Sequence, residues 1–327
     1  MTTNMNVTVY QQSDCSAVTQ LWNNEAVKYL YKPLSESEFI ATFVEHEHVD
    51  ASCLFIAKDE QGNVIGFAAG VTSASIPLGD VAGYITTMIM QEGATDEQYD
   101  LLLDALELRF KATGKKQADV LFFNPVRLIW NIPSAKEHEH NNAPGIIKTM
   151  PLYSLLTRRG YIDRATQCGM YLPLRQYEVP DRVIAKQAQA ETKGYRVTMF
   201  DPAKHHGVQQ LMEALDNAMW KKEIPYHADN GDSIVIAEKD GLVVGFAGPV
   251  IRQVNGRAFF CGIGVHPEHE ANGLGTVLFY RLLEAFKLAN CDYVSLFTGE
   301  TNPAINIYLK AGFTIEQTFS ILRRELD

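Results

Sequence analysis

CLFIAKDEQGNVIGFAAGV, residues 53–71, and SIVIAEKDGLVVGFAGPV, residues 233–250, follow one pattern at two places in a 327-residue chain. Each is an apolar run, a polar turn holding one glycine (Gly62 or Gly241), and a second apolar run ending in Gly-Phe-Ala. β-Branched and aromatic residues around a glycine that accepts positive φ predict a hairpin in both places. The likeness continues without a gap. YITTMIMQEGATDEQYDLLLDALELRFK (84–111) lies on FCGIGVHPEHEANGLGTVLFYRLLEAFK (260–287), each giving strand, connection and amphipathic helix.

A strand near VLFFN (120–124) then corresponds to YVSLFT (293–298). LLTRRGYIDRATQCGMYL (155–172) corresponds to YLKAGFTIEQTFSILRRE (308–325), each a helix end, Gly-aromatic and a final strand. Two copies of one α/β unit are therefore predicted, with mixed sheets. Their seam falls in EVPDRVIAKQAQAETKGYR (178–196), polar enough for a linker or a short connecting helix. The division expected is 1–178, a seam at 179–194, and 195–327.

Composition narrows the function. A net charge of −10 argues against a role dominated by phosphate-backbone contacts, which need a basic footprint. Small molecules or basic groups are the expected partners, with no nucleic acid and no membrane. No apolar run approaches the ~20 residues that span a bilayer, and MTTNMNVTVY has neither basic region nor apolar core, so a cytoplasmic location is expected. Five scattered cysteines without C-x-x-C spacing read as reduced thiols. His205 with His206, and His138 with His140, lack the partners and spacing of a ligand set, so no metal is expected.

The chemistry concentrates in VHPEHEANGLGTVLF (265–279), where Gly273 and Gly275 open a helix. A helix start leaves about four N–H groups unpaired beside a partial positive charge, and glycines let an anion reach them. The N–H groups from Asn272 through Leu274 to Thr276 form the predicted cradle. No lysine follows Gly275, which excludes a Walker loop. Leu278 stands where a dinucleotide fingerprint has its third glycine.

What remains resembles the coenzyme A motif of the GNAT superfamily of N-acetyltransferases. Val265 and Pro267 match its strand exit, and Gly273 and Gly275 match its glycines. Glu270 replaces the usual Gln or Arg, and Ala271 stands where many members have another glycine. TNPAINIYLKAGF (301–313) resembles a second family segment. Asn302 is placed to cap this helix, Pro303 to occupy its first turn, and Gly312 to end it in the left-handed conformation.

The resemblance implies two tandem GNAT-like domains and acyl transfer from acetyl-CoA to a primary amine of a small molecule or peptide. It makes Tyr308 the general acid for the departing thiolate, a phenol being protonated at neutral pH. It also has backbone groups of Gly264 and Val265 align the pantetheine on a strand splayed from 293–298. Proximity and a preorganised donor then supply most of the rate. The base is left open among Glu300, Glu223, His227 and a water chain.

Under the repeat alignment, Glu97 and Tyr99 replace Gly273 and Gly275, and Leu156 replaces Tyr308. The first half is therefore expected to keep the fold without the chemistry. Its long connection 124–151, with Trp130, two prolines and Gly145, is expected to be ordered and to help wall an acceptor cleft. Two other functions fit parts of the pattern: a coenzyme A-binding pseudoenzyme or sensor, and an aminoacyl-tRNA-dependent peptidyl transferase, which would need a basic surface. Monomer and homodimer are both open.

Overall fold

The computed structural model describes residues 5–121 and 124–326. Phe122 and Phe123, in the middle of the expected strand VLFFN, lie outside the described residues. The chain forms two compact units. Unit 1 is Met1–Gly169 with Phe297–Asn302 and Ile315–Asp327; unit 2 is Met170–Leu296 with Pro303–Thr314.

Unit 1 contains β1 (Asn6–Val9), α1 (Cys15–Glu25), α2 (Glu36–Phe39), β2 (Leu54–Lys58), β3 (Val64–Val71), β4 (Ala82–Met90), α3 (Asp96–Ala112) and β5 (Gln117–Val120). There follow β6 (Trp130–Ile132), β7 (Ala135–His140), β8 (Ile146–Ile147), α4 (Pro151–Arg158) and most of β9 (Ile162–Pro173). Unit 2 contains α5 (Asp181–Glu191), β10 (Tyr195–Met199), α6 (Val208–Leu215), α7 (Ala218–Asp229), β11 (Val235–Lys239), β12 (Leu242–Gly248), β13 (Gly262–Val265) and α8 (Leu274–Leu288). After these come β14 (Tyr293–Gly299), α9 (Ile305–Lys310) and β15 (Thr314–Glu325).

Both predicted hairpins form, β2–β3 and β11–β12, with Gly62 at φ +85° and Gly241 at φ +84°. Each carries a register shift at the same step, Ala57/Lys58 and Ala237/Glu238, so the copies share a bulge as well as a pattern. The seam becomes α5, with Val183 and Ala190 buried.

The unit 1 sheet runs β1-β2-β3-β4-β5-β15-β9. The strand between β5 and β9 is thus the last one of the second sequence copy. It pairs antiparallel with β5, Leu322 opposite Val120 and Glu325 opposite Gln117. Its Arg323 Nε lies 2.6 Å from Asp119 Oδ1, and Arg324 Nη1 lies 3.1 Å from Glu107 Oε1, both carboxylates being buried.

The connection 124–151 is ordered. β6 and β7 pair, and Trp130 is fully buried, stacked on His140 and donating from Nε1 to Asn142 O at 2.9 Å. Unit 2 has its own sheet, β10-β11-β12-β13, over a core of Leu211, Met212, Ile224, Ile236, Val243 and Phe246.

Candidate functional site

In unit 2, β13 is the edge strand of its sheet, paired to β12 from Gly262 opposite Gly248 to Val265 opposite Gly245. Just upstream the chain still touches β14: Ala258 N–H donates to Tyr293 O at 2.8 Å, and Arg257 bridges Tyr293 in parallel. By β13 that pairing has ended. This is the expected splay, and it leaves one main-chain edge of Gly264 and Val265 open.

One face of β13 is closed by packing. A Cβ on Gly262 would overlap the Trp220 ring, and one on Gly264 would come within 2.6 Å of Leu215. Trp220 Nε1 also donates to Cys261 O at 3.2 Å. These glycines let α6 and α7 lie against the strand.

Beyond β13 the chain turns through Pro267–His269 into α8, with Ala271 at φ +61° and Gly273 at φ +76° as the residue before the helix. Intrahelical bonding begins with Val277 N–H to Gly273 O at 3.3 Å, so the N–H groups of Leu274, Gly275 and Thr276 precede it. A Cβ on Gly275 would find only Val265 Cγ2, at 3.8 Å. Space stands over this residue, and protein packing gives no reason for a glycine.

Asn272 is an internal strut. Its Nδ2 donates to His269 O and Glu270 O, both at 3.1 Å, and its Oδ1 accepts from Lys193 Nζ at 3.0 Å. Tyr195 Oη and His269 Nδ1 share a 3.0 Å hydrogen bond beside it. Burial, then the neighbouring His266 and Lys239, hold His269 below its ordinary pKa. Leu274 is buried, while Glu270 is exposed.

Tyr308 lies on α9 with its ring 5.2 Å from Phe279 of α8 and 5.9 Å from Phe313, centroid to centroid. Burial raises its phenol above the ordinary value. Gly312, at φ +99°, ends the helix, and Phe313 N–H returns to Tyr308 O at 3.1 Å. The first copy makes the same bond, Tyr161 N–H to Leu156 O at 2.9 Å, which equates Leu156 with Tyr308.

The other end of α9 departs from expectation. Ala304, not Asn302, precedes the helix, no side chain caps it, and Pro303 lies outside it. Asn302 is drawn instead into a turn, its N–H donating to Gly299 O at 3.0 Å. Asn302 and Glu300 belong to unit 1, where Glu300 N–H donates to Thr166 O at 3.0 Å.

Glu223 belongs to unit 2. Its Oε2 lies 3.7 Å from His227 Nε2, and His227 Nδ1 lies 2.7 Å from Asp232 Oδ2. Burial, and then the charge of Glu223, push the Cys261 thiol up to about 11, so it stays protonated at neutral pH. Sequence reading missed Asp232, although it follows His227 by one short turn. It also missed the side chains of α5 that reach the glycine loop and α9.

In the first copy the helix start is already satisfied. Thr95 and Gln98 form a capping box, and the Glu97 carboxylate accepts from its own N–H and from Thr95, which lowers its pKa. Clefts of about 460 and 470 Å³ lie in unit 1 and include no residue of the glycine loop.

A strand that leaves its neighbour beside a glycine-started helix, present in a duplicated α/β chain, defines a class, and comparisons agree with it. Residues 199–313 match the acetyltransferase (GNAT) family model. The GNAT-related glucosamine N-acetyltransferase region of a fungal multi-domain GH3 β-N-acetylglucosaminidase is similar over 99% of this chain at 14% identity, TM-score 0.68; the chain spans 38% of that protein. A GNAT-related N-acetyltransferase from Sphaerobacter thermophilus is similar over 98% of this chain and 96% of its own, at 13% identity, TM-score 0.61. A tandem GNAT protein from the clavulanic acid biosynthesis pathway is similar over 99% of both chains, at 14% identity, TM-score 0.58. No curated protein matches the sequence. The chain has the fold of tandem GNAT proteins, and its residues 199–313 match the GNAT family model.

Among the described residues, no helix is long and apolar enough to cross a membrane.

Proposed function

We propose that unit 2 transfers an acetyl group from acetyl-CoA directly to a primary amine of a small molecule or peptide. The observation that carries this reading is the open β13 edge running into the unfilled N–H groups of α8, with Tyr308 packed on the same helix. Bound acetyl-CoA supplies the activated acyl group. The N–H groups of Leu274, Gly275 and Thr276 hold its phosphates, and main-chain groups of Gly264 and Val265 align and polarise the thioester.

The amine nitrogen bonds to the acyl carbon, the carbon–sulfur bond breaks, and the sulfur leaves with the electron pair. Tyr308 gives that sulfur a proton. Glu223 takes the proton that the amine loses, directly or through water, held by His227, which Asp232 in turn orients. Cys261, held as a thiol, is a poor nucleophile, which favours direct attack over an acyl-enzyme.

Thiol release from acetyl-CoA over a panel of amines, amino sugars and peptides tests the reading. Turnover with at least one amine is expected, together with loss of most activity in Glu223→Gln. Tight binding of coenzyme A without turnover on any acceptor would instead mark a sensor.

A further inference from the structure

The loop that receives the phosphates carries Glu268 and Glu270, both exposed, and no cation of its own. Main-chain N–H groups alone are a weak counterweight to several phosphate charges. Positive charge reaches this loop from elsewhere in unit 2.

Three side chains of the seam helix and its exit point the same way. Arg182 donates from Nη2 to Tyr280 Oη of α8 at 2.6 Å and to Lys310 O, the last residue of α9, at 2.8 Å. Its guanidinium also lies 5.5 Å over the Tyr280 ring. Lys193 donates to Asn272 at 3.0 Å. Between these anchors, the Lys186 stem lies across the start of α8: a Cβ on Gly273 would sit 3.0 Å from its Cγ, 2.8 Å from Cδ and 3.6 Å from Cε. The ammonium is one bond beyond Cε.

Arg182 and Lys186, four positions apart on α5, share one face of the helix, and Lys193 follows just beyond its end. Arg182 and Lys193 are engaged with protein. Lys186 is exposed, with its apolar stem laid against Gly273.

We propose that Lys186 is the side-chain cation for the pyrophosphate of acyl-CoA, a charge that the loop with Glu268 and Glu270 does not itself supply. The assignment rests on the acyl-CoA reading above. It makes α5 part of the binding site, and it gives Gly273 a second role. Besides adopting a positive φ, this glycine offers a bare Cα as the bed on which the lysine lies.

The test is calorimetric binding of coenzyme A, dephospho-coenzyme A and pantetheine to the full chain, at low and high salt, for wild type, Lys186→Ala, Lys186→Glu and Lys186→Arg. Lys186→Ala should weaken coenzyme A by about tenfold at low salt, the scale of one charged hydrogen bond, and Lys186→Glu by more. Lys186→Arg should recover most of the loss, and the difference should shrink as salt rises. Dephospho-coenzyme A should lose as much as coenzyme A, and pantetheine nothing. Equal affinity of wild type and Lys186→Ala at low salt overturns the assignment and leaves the acyl-CoA reading intact. So does a loss confined to coenzyme A, which would place the lysine on the 3′-phosphate. Failure of the wild type to bind coenzyme A overturns both.

Discussion

Tyr308 shows how one side chain is prepared for a proton by its neighbours. Packed on Phe279 and Phe313, its phenol is raised above its ordinary pKa by burial alone. A general acid must carry its proton, so a raised pKa keeps Tyr308 competent throughout neutral pH and up to about pH 10, the value of a free phenol. Tyr308→Phe should lower kcat by about 100-fold or more with coenzyme A affinity unchanged in calorimetry. A loss of kcat in the wild type below pH 10 must come from another group. Unchanged turnover in Tyr308→Phe removes the assignment. The spacing of this tyrosine from Gly312-Phe313 was legible because a helix stop is a local event. The failed cap at Asn302 was not, since its N–H had a competing turn partner in Gly299.

At the level of elements, the start of α8 separates two glycines that a sequence motif treats alike. Gly273 is demanded by the protein, through φ +76° and the Lys186 stem. Gly275 is helical and faces open space, so the protein would accept a methyl group there. Gly275→Ala should therefore hold or raise stability by roughly 0.5–1 kcal/mol in urea unfolding, as for glycine to alanine within a helix. The same change should weaken coenzyme A binding. Stability gained with affinity untouched would mean that nothing seats over Gly275. The hairpins, both helix starts and the loss of the cradle in the first copy could be read directly, since each depends on residues close in sequence. The cations of α5 and its exit could not: Lys193 and Asn272 are 79 positions apart. The spacing of 182 and 186 on one helix face was their only trace.

For the whole molecule, the duplication read from sequence holds, but the compact units do not follow sequence order. β15 carries Arg323 and Arg324 to carboxylates 204 and 217 positions earlier. Glu107 is buried and also touched by Tyr161 Oη at 2.9 Å, so losing Arg324 strands a charge within the sheet's packing. Arg324→Ala should destabilise unit 1 by about 3 kcal/mol, within the range for breaking a buried pair, read from denaturant unfolding followed by tryptophan fluorescence of Trp22 and Trp130. A shift smaller than that of an exposed pair would mean Arg159, 3.5 Å from Glu107, suffices alone. Pattern alone could not reveal this placement, because one copy of the unit offers its last strand an equally good apolar alternation in either sheet.

The position of β15 also sets a timetable. A ribosome releases the chain from its N-terminus, and residues 315–325 emerge after the other segments of unit 1. Until they do, the slot between β5 and β9 has no strand to fill it, and Asp119 and Glu107 await their arginines. The half synthesised first is thus the half completed last. Exposed strand edges invite pairing with other chains, so the nascent protein carries that liability until β15 emerges, and a product that stops before residue 315 leaves its first unit unclosed.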